Sequence, residues 1–167
     1  MIDDLRAFAP PVRHEANNLF AALTGTIEIL QRAAVTDRDR ARAERMREAT
    51  TRLEALLKGY LSLAAPPREE GGTDGPKVLE LLRPLLVLLL GPGRAVEIEA
   101  PPRLRRLAIP VEELQATILR LARDAAAAVP REAGLRVVME AAPAGVSLIV
   151  TPVPGGAAPP PVFLPAA

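Results

Sequence analysis

The sequence predicts an α+β fold, with an antiparallel helical hairpin followed by a small α/β sandwich. Three features lead to this expectation: two long segments with apolar residues at helical spacing, a proline- and glycine-rich break after them, and strand-like alternation in the second half. We expect the hairpin in residues 1–65, the sandwich in residues 77–156 and a proline- and alanine-rich tail in residues 157–167. The last stretch, residues 152–167, is so rich in proline, glycine and alanine that it need not pack, so we expect it to be extended or loosely attached.

The first helix is predicted from Val12 onward. Pro10 and Pro11 suit its first turn, where a missing N–H costs nothing, although a short helix before the prolines followed by a kink is an alternative. Its apolar residues recur at intervals of three and four, which is the period of an α-helix. They are Val12, Ala16, Leu19, Leu23, Ile27 and Leu30, with Phe20 beside them.

The second helix is predicted to begin at Thr36 or Asp37, since either side chain suits an N-cap. The short link between the helices makes them antiparallel, and each carries more apolar surface than the other can cover. We therefore expect two hairpins to associate as a homodimeric four-helix bundle. The apolar seam of the second helix has heptad spacing. It consists of Met46, Ala49, Leu53, Leu56, Tyr60 and Leu63.

The second half of the chain mixes helical and strand-like segments. A turn at residues 142–145 joins the last two predicted strands, and no internal repeat is visible. Capping signals and alternation predict helices at residues 77–90 and 111–128, strands at 95–99, 135–141 and 146–151, and a short strand at 106–109.

Composition excludes several classes of function. A net charge of +1 and an aromatic content of 2% argue against a nucleic-acid-binding protein. With no cysteine and one histidine, the chain cannot form a Cys/His zinc site, a disulfide framework or a thiol nucleophile. The N-terminus has no apolar signal region, and charges and a proline interrupt the most hydrophobic stretch, residues 78–90. We expect a cytoplasmic protein that does not enter membranes.

His14 is the only histidine, and it lies opposite much of the apolar stripe of the first helix. Glu15 is expected to accept a hydrogen bond from one ring N–H, which leaves the other ring nitrogen as a nucleophile. Asn18, one turn later, is expected to orient a phosphoryl group or a water molecule. The alternative is that His14 is an ordinary surface or capping residue.

The string His14-Glu15-Ala16-Asn17-Asn18-Leu19-Phe20 resembles the dimerisation and phosphotransfer region of bacterial sensor histidine kinases. In that family a helical hairpin carries His-Glu/Asp-x-x-Asn/Thr. The resemblance implies that His14 is the phosphoacceptor, that Glu15 assists it, and that Asn18 helps to dephosphorylate the partner.

The second half resembles the ATP-binding domain of the same kinases but departs from it at the ligands. The segment from Leu119 to Pro130 is similar to the N box, where Arg120 and Asp124 replace the asparagines that hold magnesium and ATP. The segment 151–156 stands where the family has Asp-x-Gly-x-Gly, and its prolines replace the aspartate and the first glycine. Asp124 is either a residual cation ligand or, as is commoner for a lone acid on a helix, a solvated or ion-paired residue.

A hairpin with a histidine joined to a degenerate ATP-binding domain resembles the histidine phosphotransferases of bacterial phosphorelays. The resemblance implies a phosphoryl carrier without ATP-dependent kinase activity and without an intrinsic cofactor. Its expected partners are receiver domains of response regulators or a hybrid histidine kinase, with Mg²⁺ supplied by the receiver. The alternative is a non-catalytic dimeric pseudokinase scaffold that binds receivers or a kinase. A true ATP-dependent kinase is disfavoured because the nucleotide-binding groups are missing.

Receiver docking is expected beside the histidine. Folding the hairpin about Val35 predicts that His14 is level with Leu56 and Leu57, and that residues 18–25 lie beside residues 45–52. The arginines of the second helix alternate with acids, which favours a solvated, ion-paired face. The residues predicted to contact a receiver are Asn17, Ala21, Ala22, Gly25, Arg45, Glu48 and Arg52.

Overall fold

The structure is a computed structural model that describes residues 2–64, 71–91, 93–128, 133–154 and 160–167. It contains helices and a four-stranded mixed sheet, which confirms the α+β class. The chain divides into two compact units, Met1–Ala65 and Pro66–Ala167. The elements are α1 (Ile2–Ala33), α2 (Asp37–Ala64), α3 (Gly75–Leu90), β1 (Val96–Glu99), α4 (Val111–Ala127), β2 (Gly134–Ala142), β3 (Gly145–Val153) and β4 (Val162–Pro165).

Unit 1 is the helical hairpin. Helix α1 begins before Pro10 and Pro11 and runs through both of them, so the helix starts earlier than Val12. Helix α2 is capped by Thr36, whose hydroxyl accepts the backbone N–H of Asp39 at 3.2 Å and donates to its carboxylate at 2.6 Å. This reciprocal cap satisfies a backbone donor that the first turn of a helix otherwise leaves unpaired.

Two side-chain contacts fix the register of the hairpin. Arg13 Nη2 donates to the carbonyl of Leu61 at 3.5 Å, and Gln31 Nε2 donates to Glu44 Oε2 at 3.0 Å. By this register His14 lies level with residues 60–61. The predicted level at Leu56 and Leu57 was therefore wrong by about one helical turn, or about 5 Å. The prediction assumed that the two helix ends next to the link lie at the same level. These contacts show instead that α2 is displaced along α1.

The buried and exposed apolar residues of the hairpin lie on different lines. Phe20 and Ile27 of α1 and Ala43 and Leu61 of α2 are at least nine-tenths buried. By contrast, Leu53 of the predicted seam is 54% exposed. The seam is thus not the line along which α2 packs on α1. The largest exposed apolar side chains of the first stripe and the seam are Leu19, Leu23, Leu30, Met46, Leu53 and Tyr60, which we call the open apolar face.

Unit 2 is a two-layer sandwich. Strands follow the order β1-β2-β3-β4, with β1 parallel to β2 and the other pairs antiparallel. Helix α3 starts two residues before the predicted position because the Asp74 carboxylate accepts the backbone N–H of Lys77 at 3.2 Å. The predicted strand at 106–109 is reduced to bridges of Leu107 with Thr73 and Ala166. The core combines α3, α4 and the sheet: Leu79, Leu82, Leu86, Leu114, Ile118, Leu135, Val137, Met139, Val146, Leu148 and Val150.

The end of the chain belongs to the sheet. Strand β4 pairs with β3, Leu164 is buried, and the backbone N–H of Ala167 donates to the carbonyl of Arg106 at 2.8 Å. The prediction of a loosely attached tail was therefore wrong for residues 152–153, which belong to β3, and for residues 160–167, while residues 155–159 lie outside the described residues. Three apolar residues at 162–164 among the prolines suffice to pair with the edge of β3. Gly145 permits this pairing, because any Cβ there would collide with the carbonyl oxygen of Leu164.

Replacement of Leu164 by alanine is expected to destabilise the protein by about 2–4 kcal/mol, since it removes a buried leucine from the core. Phe163→Ala is the matched control, because Phe163 is the neighbouring residue of β4 and is 54% exposed. Urea unfolding monitored by circular dichroism measures both effects. Equal, small losses for the two variants would contradict the placement of β4 in the fold.

Candidate functional site on the helical hairpin

His14 lies on the exposed surface of α1. The side-chain amide nitrogen of Asn18 is 3.5 Å from Nε2 of His14, because residues four apart on a helix are neighbours. An amide N–H donates to Nε2 only when that nitrogen carries a lone pair, which leaves the ring proton on Nδ1. In this tautomer Nε2 is the nucleophilic nitrogen, and a hydrogen-bond donor lies beside it.

Glu15 is also exposed, but it makes no hydrogen bond or ion pair within the described part of the chain. The predicted hydrogen bond between Glu15 and the ring is therefore not observed. Consecutive residues on a helix point about 100° apart and do not face each other. Asn18, rather than Glu15, is the residue in contact with the imidazole of His14.

An open groove of about 480 Å³ runs between α1 and α2. Gly25 widens it, since a Cβ built on Gly25 meets no atom within 4 Å. The small residues Ala21, Thr24 and Gly25 in its lining let another macromolecule approach α1 closely. The groove is lined by Asn17, Phe20, Ala21, Thr24, Gly25, Glu28, Glu54 and Lys58.

Only part of the predicted docking set lines this groove. Asn17, Ala21 and Gly25 do, whereas the α2 side is formed by Glu54 and Lys58, which pair at 2.6 Å. Sequence reasoning missed these two because the assumed register was a turn short. The remaining predicted residues are exposed but do not line the groove: Ala22, Arg45, Glu48 and Arg52.

Many of the charges on α2 neutralise one another within the helix. Arg47 donates to Glu44 at 3.1 Å and holds the pKa of that carboxyl below its usual value. The predicted ion-paired face is confirmed for this pair and for those of Arg40 with Asp37 and Arg42 with Asp39. Three other arginines of α2 make no ion pair within the described residues: Arg38, Arg45 and Arg52.

Helix α4 of unit 2 carries Arg120 and Asp124, which the sequence resemblance aligns with the asparagines of the kinase N box. A carboxylate oxygen of Asp124 lies 4.0 Å from Arg120 Nη1, and the other lies 3.8 Å from Arg123 Nε. This arrangement favours an ion-paired acid over a cation ligand. Across the described ranges, no three His, Cys, Asp or Glu residues are grouped so that they could hold a metal ion.

The second kinase-like segment is built into the sheet. Thr151 and Pro152 continue β3 and pair with Arg136 and Leu135 of β2. The two glycines at 155–156 and the end of the N-box-like segment at 129–130 lie outside the described residues.

No protein-family model matches the chain, and no curated protein matches it at a significant level. Among the helices of the described residues, none combines the length and the apolar character that crossing a lipid bilayer requires.

We expect the purified protein to show no saturable heat when titrated with MgATP at millimolar concentration. The reason is that Asp124 is flanked by two guanidinium groups and that Pro152 lies buried in β3, where the kinase motif needs a flexible backbone. Isothermal titration calorimetry measures the heat. A micromolar dissociation constant would contradict the expectation and revive the kinase interpretation.

Proposed function

We propose that the protein is a histidine phosphotransferase of a phosphorelay. His14 accepts a phosphoryl group from the aspartate of one receiver domain and passes it to the aspartate of another. The observation that carries the proposal is the contact of the Asn18 amide with Nε2 of the exposed His14, on the helix whose Ala21, Thr24 and Gly25 line an open groove. An accessible imidazole with one unprotonated nitrogen is the group that this transfer requires.

The proposed transfer is a displacement at phosphorus. When the receiver docks, the Asn18 N–H leaves the Nε2 lone pair, which attacks the phosphoryl group; the bond from phosphorus to the aspartate oxygen breaks, and the receiver regains its carboxylate. The product is a phosphoramidate on His14, and attack by a second receiver carboxylate reverses the step. Asn18 is positioned to donate a hydrogen bond to a phosphoryl oxygen, and Mg²⁺ bound to the receiver offsets the charge of the others.

Glu15 keeps its proposed role in a modified form. Because Glu15 faces away from the ring, we assign it an electrostatic effect on the positive charge that develops on the imidazole, rather than a hydrogen bond that fixes the tautomer. The transfer itself needs no nucleotide, which agrees with the loss of the asparagines at Arg120 and Asp124.

We also propose that the open apolar face is covered by the same face of a second copy. Each buried leucine contributes about 1.5–3 kcal/mol, so several of them across a two-fold interface outweigh the cost of association. The result is a four-helix bundle in which α1 packs against its own α2 on one side and the partner's α2 on the other. His14 then remains on the outer edge of each α1.

The non-catalytic scaffold remains the second candidate. It is favoured by the ion pairing of Asp124 and by the lack of contact between Glu15 and the ring. Such a protein uses the same groove to bind a receiver but carries no phosphate on His14.

A glutamate at Leu53 is expected to convert the dimer into monomer, because it places a charge in the middle of the open apolar face. Thr51→Glu is the matched control, since it adds the same charge to an exposed position of the same helix outside that face. Light scattering at micromolar concentration measures the mass. A wild-type protein that stays monomeric at high concentration would refute the bundle.

A receiver domain loaded with [³²P]acetyl phosphate is expected to label the wild-type protein with acid-labile phosphate, whereas [γ-³²P]ATP is expected to give no label. His14→Ala should abolish the label and leave the helical circular dichroism unchanged. Label that persists on this variant would rule out His14 as the acceptor. Receivers that bind the wild-type protein without labelling it would favour the scaffold.

A further inference from the structure

Among the described residues, three arginines on α2 have no acidic partner. Arg38, Arg45 and Arg52 are exposed and seven residues apart, so they lie along one line of the helix, which we call the basic line. Every other basic residue of α2 pairs with an acid one turn before it. These pairs are Arg40 with Asp37, Arg42 with Asp39, Arg47 with Glu44 and Lys58 with Glu54. Glu48, which lies between Arg45 and Arg52 along the helix and makes no ion pair among the described residues, offsets one of these charges, so the basic line keeps an excess of positive charge.

The basic line lies on the side of α2 that faces away from the groove of its own hairpin. At about 100° per residue, Arg45 and Arg52 are about 120–140° around the helix from Lys58, which lines that groove. The same line is only about 80° from the mean direction of Met46, Leu53 and Tyr60 on the open apolar face. Within one protomer the basic line is thus a border of the open apolar face.

In the two-fold bundle proposed above, the apolar line of α2 packs on the α1 helix of the other protomer. The basic line then runs along the outer edge of that helix. Rotation about a two-fold axis parallel to the bundle does not move residues along that axis. The register of the hairpin therefore also applies between protomers. It places Arg52 level with Ala22 of the partner subunit and Arg45 level with Ile29 of the partner subunit. The partner's His14 lies about 12 Å further along that helix, at 1.5 Å per residue, and about 80° around it from Ala22 toward the outer side.

A second copy does not neutralise these arginines. The α1 edge beside them carries Ala22 and Ile29, and Ile29 is 64% exposed in the hairpin. The unpaired acid of that edge, Glu15, is seven residues or about 10 Å beyond the level of Arg52. The guanidinium groups therefore remain available to a different, negatively charged partner.

We infer that each receiver-docking surface is shared between two protomers, with His14 supplied by one and Arg45 and Arg52 by the other. This inference rests on the proposed function. The occupant is the acidic face of a phosphorylated receiver, because the phosphoaspartate that reaches His14 brings negative charge to this edge. A row of unpaired arginines at this distance steers such a face toward the histidine and raises the association rate.

The first experiment compares two double variants with the same change in net charge. Arg45→Gln/Arg52→Gln is expected to slow phosphotransfer from a [³²P]acetyl-phosphate-loaded receiver roughly tenfold at low ionic strength, and the loss should shrink in high salt. Arg40→Gln/Arg47→Gln, on the opposite side of α2, is expected to stay within about twofold of wild type. Equal losses for both double variants would overturn the inference, since only general charge would then matter.

The second experiment asks which protomer supplies the arginines. Heterodimers are purified through two different affinity tags, and dimer mass and circular dichroism check their integrity. One heterodimer has His14→Ala in one chain and the Arg45→Gln/Arg52→Gln pair in the other. The second has all three changes in one chain and a wild-type partner.

A shared surface predicts that the first heterodimer transfers phosphate at the full rate per intact histidine, whereas the second is slowed like the double variant. The reverse pattern would place the arginines and the histidine of one surface in the same chain and would overturn the inference, while the proposed function would stand. A wild-type protein that no phosphorylated receiver labels would overturn both.

Discussion

The packing of α1 against α2 is the interaction on which the rest of the structure depends. Phe20 and Ile27 of α1 and Ala43 and Leu61 of α2 are the buried apolar residues at the centre of the hairpin. Since they occupy one line of each helix, the remaining surface is divided into a groove, an open apolar face and an outer edge with His14. A change in this pairing would rotate every one of these surfaces.

In the proposed function, assembly and phosphotransfer use different sides of the same two helices. The open apolar face can associate with a second copy without covering His14, which faces away from it. In the proposed dimer, the groove of one protomer and the basic line of its partner flank each α1. Unit 2 is stabilised by its own core between α3, α4 and the sheet, and Arg120 and Asp124 of α4 form an exposed ion pair.

The sequence predicted the elements well where the pattern was local. The ends of α4 and of β2 and β3 lie within two residues of the prediction, because alternation and helical spacing depend on neighbouring residues. Long-range features were missed. The register of the hairpin depends on contacts of Arg13 and Gln31 with residues of α2. The pairing of β4 depends on the free edge of β3. Neither contact can be predicted from the pattern of neighbouring residues. For the candidate site, His14 and Asn18 could be predicted from helical spacing, whereas Glu54 and Lys58 required the register.

The central claim is that Nε2 of His14 carries the phosphoryl group. Two-dimensional ¹H–¹⁵N NMR of the uniformly labelled protein, recorded after transfer from a phosphorylated receiver, identifies the modified ring nitrogen directly. The account predicts a phosphoramidate on Nε2, the nitrogen that the Asn18 amide contacts at 3.5 Å. Phosphate on Nδ1, phosphate on another residue, or an unmodified imidazole after exposure to phosphorylated receivers would contradict it.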